Sequence, residues 1–332
     1  MATSGFYGEL SNAHSKRSRS LVEILVQWLF SRWRSAPMTS DAAQELIDDT
    51  VEKVLDVMDD VRTDSDAFLT EVLEAEGVPF PRNIPPARDG SYPRRSVLPE
   101  DVWERPVNEY RAARNSGDSH QEAMLKTLAR VRQLADADVR MANRARAAQV
   151  YEAASPNGVI GYRRIIHPEL SKTGTCGLCL VAADRLYSTN QLYPLHDNCK
   201  CETLPVTNTS DPGLKLNRED LDYIYRVAGG NTASKLSNTR IAEYVSGEKG
   251  PVLARHIEKS KSGLTPKNEQ YALSGDDAER ASHVWTPAEE VIGAQDELAA
   301  LRQRRAKPRK RRLSVLEERI AYWERQARKH SA

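Results

Sequence analysis

The feature that most constrains this chain is a cluster of cysteines. The sequence contains four cysteines, and all of them lie within one short segment. Their order is Cys176-x2-Cys179, then sixteen residues, then His196-x2-Cys199, and then Cys201. Two short pairs separated by about 15–20 residues are typical of a tetrahedral zinc site, because two thiolates on one tight turn can reach one ion. We therefore predict one structural zinc ion.

The cluster offers five ligands for four positions, and the sequence leaves the choice open. We prefer Cys176, Cys179, His196 and Cys199, because a pair with two intervening residues closes around an ion more easily than the one-residue gap that ends at Cys201. Pairing Cys199 with Cys201 is the alternative. Both choices leave a full set of protein ligands, whereas a catalytic zinc usually keeps one position open.

Three explanations compete with zinc. The thiols could be buried without metal, or they could form disulfides after release from the cell. One thiolate could instead act as a nucleophile with His196 or His167, but that does not explain why four cysteines cluster. The sequence contains no HExxH, GxSxG, phosphate-loop or dinucleotide-binding pattern, so we predict that the protein is not an enzyme.

The rest of the chain is predicted to be mostly helical. Apolar residues recur at heptad-like spacing between Ser40 and Val61, and Ser119 and Glu122 have the spacing of a capping box. A further helix is expected at 218–228, where Asn217 caps it and Gly229-Gly230 stops it. Short β-prone runs at 159–166, 185–188 and 202–206 favour a small sheet around the cysteines. The fold class is therefore mostly α, with a small α+β zinc-containing unit in the middle.

Two terminal stretches need their own interpretation. Residues 1–20 are polar and are expected to be poorly ordered. The stretch from Leu21 to Arg34 is apolar around most of a helix, and Trp28, Phe30 and Trp33 all belong to it. Such a helix is buried in the protein's own core, against a partner protein or on a membrane surface. We expect a partner, because a surface helix rarely exposes three large aromatic side chains.

Charge is separated along the chain although the net charge is only +1. Residues 41–76 contain thirteen acidic residues and two basic ones, whereas 302–329 contain twelve basic residues and three acidic ones. Packaged DNA is a candidate partner for the most basic run, which contains Arg302, Arg304, Arg305, Lys307, Arg309, Lys310, Arg311 and Arg312. Pro308 is expected to break the helix inside this run, with a restart at Ser314. A solvated basic linker, or one neutralised by an acidic surface such as 41–76 of a neighbouring copy, is the alternative.

These patterns predict four regions. Residues 1–97 form a helical N-terminal region with a proline-rich linker or arm, and residues 98–207 form a domain whose last part, 156–207, is the zinc unit. Residues 208–285 form an irregular region, and residues 286–332 form a basic helical tail. The mean hydropathy is −0.61, and no stretch approaches the roughly 20 apolar residues that span a bilayer. We expect synthesis in a reducing cytoplasm.

The cysteine segment resembles a known family. The run Thr175-Cys176-Gly177-Leu178-Cys179, followed by 193–201 and then by Leu204-Pro205-Val206, is similar to the MuF-like domain of minor head (head morphogenesis) proteins of tailed bacteriophages. The shared pattern is a CxxC, a loop, and a P-x-H-x-x-C-basic-C element before an apolar strand. The helical segment ahead of it, at about 98–155, is also similar.

The resemblance implies a function as well as a fold. It implies a minor capsid protein that lies in the head interior, is associated with the portal, and contacts the portal and the capsid or scaffold proteins. Two alternatives remain: a phage-encoded enzyme or toxin that acts on nucleic acid or protein, and a zinc-containing nucleic-acid-binding protein.

Overall fold

Most of the described chain is helical, which confirms the predicted fold class at that level. The computed structural model describes residues 6–94, 97–167, 175–189, 201–213, 218–246, 250–255, 287–303 and 310–330. The helices are α1 (Phe6–Trp33), α2 (Ser40–Ala75), α3 (Pro99–Trp103), α4 (Arg105–Asn115), α5 (His120–Ala154), α6 (Gly177–Ala183), α7 (Arg218–Ala228), α8 (Ala233–Ser237), α9 (Pro287–Gln303) and α10 (Lys310–His330). The strands are β1 (Val159–Ile165), β2 (Thr175–Cys176), β3 (Glu202–Thr207), β4 (Arg240–Ser246) and β5 (Gly250–Arg255).

The described chain forms two compact units, each built from separate segments. The first unit contains residues 1–15, 68–83 and 147–282, and the second contains 16–67, 84–146 and 283–332. The four-region division made from the sequence stays a prediction. No helix in the described ranges is both long and apolar enough to cross a membrane.

The prediction that the first twenty residues are poorly ordered is wrong from Phe6 onward. Helix α1 begins there, and four polar residues at helical spacing are buried: Ser11, His14, Ser15 and Ser18. Three of them are serines, whose small side chains allow other elements to approach the helix closely. The helix is therefore polar in composition but buried on one face, which hydrophobicity patterns do not detect.

The apolar stretch of α1 is buried in the second unit's own core. Leu25, Leu29 and Trp33 are fully buried there, and the Trp33 indole N–H donates a hydrogen bond to Thr50 Oγ1 at 2.9 Å. Trp28 and Phe30 pack against the same core and are partly buried. The premise that this stretch exposes three aromatic side chains to a partner is therefore wrong, and the core explanation is the one observed.

The core of the second unit also contains residues of α2 and α5. Helix α2 continues past the predicted end at Val61, because apolar residues at helical spacing extend to Leu73. Helix α5 begins as predicted: the backbone N–H of Ser119 donates to the Glu122 carboxylate at 2.8 Å, and the Glu122 N–H donates to Ser119 Oγ at 3.2 Å. This reciprocal pair is the capping box read from the sequence.

The proline-rich segment after α2 is non-helical, as predicted. Its part in the second unit, from residue 84 onward, is held to α5 by hydrogen bonds. Tyr92 is buried, and its hydroxyl donates to Asp138 Oδ2 at 2.6 Å. Arg94 donates to the other oxygen of the same carboxylate at 2.8 Å. Arg146 donates to the backbone oxygen of Pro85 at 2.8 Å. The residues from 84 onward are thus held to α5 by buried polar contacts.

The first unit contains two small antiparallel sheets. Strand β1 pairs with β3, with Ile165 opposite Glu202 and Tyr162 opposite Pro205, as expected from their β-prone sequences. The remaining predicted run, 185–188, contributes a single bridge from Tyr187 to Tyr162. A second sheet has the order β2-β4-β5, and its last two strands lie in the region that the sequence left unorganised.

Helix α7 confirms a sequence expectation, and helix α10 confirms one in part. Helix α7 has the predicted bounds and stops at Gly229 and Gly230, which have φ values of 71° and 146°; its proposed cap, Asn217, lies outside the described residues. Helix α10 begins at Lys310, earlier than the restart expected at Ser314. The expected break at Pro308 lies outside the described residues.

Candidate metal centre

Three segments of the first unit bring cysteines together. Cys176 ends β2, where it lies opposite Arg240 of β4, and its φ and ψ of −65° and 134° place it immediately before α6. Cys179 lies in the first turn of α6. Cys201 directly precedes β3. A strand-to-helix turn and the start of a separate strand thus supply the thiols.

The turn between β2 and α6 is tightly packed. The Gly177 N–H donates to the backbone oxygen of Thr239 at 3.0 Å. A β-carbon at position 177 would lie 3.2 Å from the backbone oxygen of Leu236. Glycine therefore lets the Cys-x2-Cys turn lie directly against the α8–β4 connection, which fixes where both thiols sit.

The three described cysteines form one buried cluster. Cys176 and Cys179 are each 8% exposed, Cys201 is 6% exposed, and Ile166 and Leu178 pack against them. The other two predicted ligands, His196 and Cys199, lie outside the described residues. Among the described residues, no group of three or more His, Cys, Asp or Glu side chains has the arrangement of a metal site. The donors gathered so far are thiols, which suit zinc in chemical type.

Arg164 lies beside the cluster and is almost completely buried. Its Nη1 donates to Cys201 Sγ at 3.6 Å, and its guanidinium lies 5.1 Å from the centre of the Tyr187 ring. A guanidinium is always charged, so Arg164 places a fixed positive charge beside the sulfur of Cys201. A thiolate is the form that binds metal.

A stack of tyrosines supports Arg164 from β1 and α5. The rings of Tyr162 and Tyr187 lie 5.1 Å apart, and those of Tyr151 and Tyr162 lie 5.9 Å apart, both nearly parallel. The Tyr151 hydroxyl donates to the backbone oxygen of Thr203 at 2.9 Å. Burial raises the pKa of Tyr151 and of Tyr162 well above the usual value, so both remain neutral hydrogen-bonding groups and do not serve as bases.

A second buried polar cluster joins α1 to this region, and the sequence analysis missed it. Ser11 Oγ lies 3.3 Å from His167 Nε2, and Asn12 Oδ1 lies 3.0 Å from His167 Nδ1. His14 stacks on Phe68 with ring centres 4.4 Å apart, and its Nε2 lies 3.8 Å from the Glu202 carboxylate. The available signal was the spacing of serines and histidine in a segment interpreted as poorly ordered.

The order of serine, histidine and asparagine resembles a hydrolase relay, but the environment does not fit one. Ser11 is fully buried in the middle of a helix, so its hydroxyl cannot meet a substrate. Both ring nitrogens of His167 are already engaged by Ser11 and Asn12, which also argues against His167 as the base for a cysteine nucleophile. We interpret this cluster as structural.

The predicted DNA-binding run is only partly described. Arg304, Arg305, Lys307 and Arg309 lie outside the described residues, and Lys310 is exposed. The other three arginines contact carboxylates of the same chain: Arg302 contacts Glu317, Arg311 contacts Glu52 and Asp56, and Arg312 contacts Glu100 and Glu297. Acidic residues of the same chain therefore pair with these three arginines, and two of these acidic residues belong to the 41–76 segment. The alternative stated from the sequence placed that acidic surface on a neighbouring copy.

Comparison of the chain with protein-family models, with curated proteins and with solved structures found no match.

Proposed function

We propose that this protein is a minor capsid (head morphogenesis) protein of a tailed bacteriophage, and that one structural zinc ion stabilises its first unit. The observation that carries the proposal is the burial of Cys176, Cys179 and Cys201 in one cluster. These residues come from the two halves of the motif that resembles the MuF-like domain.

The cluster supports the zinc part of the proposal for an energetic reason. The sheets around it are small, since β2 contains two residues, and β1 pairs with β3 and, through a single bridge at Tyr162, with Tyr187. Small units of this kind often depend on metal for folding, and apparent binding energies for structural zinc reach about 10–16 kcal/mol. A closed four-ligand site would tie β2, α6 and β3 to one point.

The ligand set that we propose differs from the one preferred from the sequence. Cys201 is buried with Cys176 and Cys179 and accepts a hydrogen bond from Arg164. We therefore propose Cys176, Cys179 and Cys201 as three of the ligands, with His196 or Cys199 as the fourth. The three thiols share a buried cluster, and they would have to move closer together to bind one ion, since they do not have the arrangement of a metal site in the structure described. Arg164 would offset part of the negative charge of the three thiolates.

The role in assembly is tested on particles. Mass spectrometry of gradient-purified heads of the phage that encodes this chain should detect the protein in a few copies. Heads that carry Cys176→Ser should lack it or retain it only as fragments, because the first unit would no longer fold. Ser210→Ala, which alters a polar residue outside the cluster, is the matched control and should be incorporated normally. Absence of the wild-type protein from purified heads would contradict the proposal.

A further inference from the structure

The two C-terminal helices have an apolar contact of their own. Leu298 and Leu301 of α9 pack with Leu316 of α10 in a cluster that is separate from the main core of the second unit. We refer to α9 and α10 together as the C-terminal helix pair. How firmly this pair is held depends on its contacts with α2 and with the segment at 84–100.

Ion pairs form much of that attachment. Arg311 donates to Glu52 and, at 3.0 Å, to Asp56 of α2. The three side chains are between 30% and 60% exposed, and pairs this exposed contribute only about 0–1 kcal/mol each. Arg312 is buried and contacts Glu100 at 3.4 Å.

The seam between α10 and α2 is not closely packed. A cavity of about 570 Å³ lies there, and its apolar lining includes Val51 and Leu55 of α2 and Val315 and Tyr322 of α10. The cavity is partly open to solvent, so α10 and α2 do not pack directly against each other across it. Tyr322, which lines this cavity, donates a hydrogen bond from its hydroxyl to the backbone oxygen of Ile84 at 3.2 Å.

The charges on the two sides of the seam are opposite. Four carboxylates recur every three or four residues on the face of α2 that lines the cavity; they are Asp48, Glu52, Asp56 and Asp59. Helix α10 contains seven basic residues and three acidic ones. One turn of helix rises about 5.4 Å, so the carboxylates form a row of negative charge along α2. We refer to this row as the acidic face of α2.

We propose that α10 is a binding element for the phosphate backbone of duplex DNA, and that the acidic face of α2 masks it in the structure described. In the structure described, both terminal nitrogens of Arg311 donate to carboxylates of α2, Nη1 to Glu52 and Nη2 to Asp56. Duplex DNA presents one negative charge about every 1.7 Å along its axis. A polyanion of this density competes effectively with a pair of exposed carboxylates, and the open seam lowers the cost of separating α10 from α2.

Masking of this kind is autoinhibition, and it goes beyond the proposed function in the phage head. It requires neither zinc nor particles, so its failure would leave the metal site untouched. Masking also predicts a different experimental outcome from unmasked binding of DNA by a basic tail. If the tail is masked, removing the two carboxylates that contact Arg311 should strengthen DNA binding, whereas removing other carboxylates of α2 should not.

The test compares two double variants of the full-length protein in binding to a fluorescent duplex. Glu52→Gln with Asp56→Asn removes the partners of Arg311. Glu71→Gln with Glu74→Gln is the matched control, since both residues are exposed on α2 and the charge change is identical. At about 100 mM salt the Debye length is about 10 Å, so distant charges contribute little. We expect about 3–10-fold tighter binding for the first variant, from the weakness of each exposed pair, and less than about twofold change for the control.

A third variant identifies the group that contacts the DNA. Adding Arg311→Ala to Glu52→Gln and Asp56→Asn should remove most of the gain, because the released guanidinium would be the group that contacts phosphate. Equal gains in both double variants would show an effect of net charge alone and would overturn the proposal. No gain in either variant, or no detectable duplex binding by any of them, would overturn it as well.

Discussion

The burial of the apolar stretch of α1 makes a quantitative prediction about Leu29. Leu29 lies in the core of the second unit and is fully buried. Replacing it with alanine removes the buried atoms and leaves a cavity, and such changes cost about 3–5 kcal/mol in a well-packed core. Ile24 on the same helix is 59% exposed, so Ile24→Ala should change stability by no more than about 0.5 kcal/mol.

Urea unfolding followed by tryptophan fluorescence is a suitable assay. Four of the five tryptophans, Trp28, Trp33, Trp103 and Trp323, are described and belong to the second unit, so most of the signal reports that unit. With a urea dependence of about 2 kcal/mol per molar, a loss of about 3 kcal/mol lowers the midpoint by about 1.5 M. If α1 instead required a partner for burial, Leu29→Ala and Ile24→Ala would have the same midpoint in the isolated protein. That result would refute the burial of this stretch in the protein's own core.

Three further predictions concern buried or capping polar groups of the second unit, with the same unfolding assay. Asp138→Ala should cost about 3–5 kcal/mol, because Tyr92 and Arg94 lose a shared buried acceptor; a loss below about 1 kcal/mol would contradict the anchoring of the proline-rich segment. Burial raises the pKa of Asp59 to about 6, so the folded protein binds a proton that the unfolded chain does not, and wild type should gain stability over Asp59→Asn from about pH 7 to about pH 5. Parallel pH dependence of the two proteins would show that the pKa of Asp59 is not raised. Ser119→Ala should cost about 1 kcal/mol through loss of the cap, whereas Ser116→Ala, at an exposed position between α4 and α5, should have little effect.

Several elements were predictable because their sequence signals are local. The Ser119 and Glu122 spacing identified the start of α5, and Gly229-Gly230 marked the end of α7. The pairing of β1 with β3 was suggested by two β-prone runs on either side of the cysteines. Each of these signals depends on residues a few positions apart, and the physical cause acts over the same distance.

The elements that were missed depend on contacts between residues far apart in the chain. Ser11 is buried because its hydroxyl meets His167, a partner 156 positions away that no local pattern specifies. The sheet order β2-β4-β5 likewise joins Cys176 to Arg240 across a long stretch of sequence. Similarly, the acidic and basic segments are evident from composition, but their pairing through Arg311 and Glu52 is a property of the fold.

The candidate site divides in the same way. The spacing of Cys176 and Cys179 on one turn was readable from the sequence, and α6 places them accordingly. The choice of the remaining ligands was left open by the sequence and stays a proposal. The chain spacing favoured His196 with Cys199, whereas the structure shows that Cys201 is buried with the other two thiols and accepts a hydrogen bond from Arg164 of β1.

The measurement that tests the central claim most directly is the zinc content of the full-length protein and of its Cys201→Ser variant, both purified under reducing conditions. We expect about one equivalent of zinc per chain in the wild type, as a single tetrahedral site requires, and a large loss in the variant. A wild-type protein with essentially no zinc would contradict the metal site. Full zinc occupancy in Cys201→Ser would contradict the ligand set assigned to it.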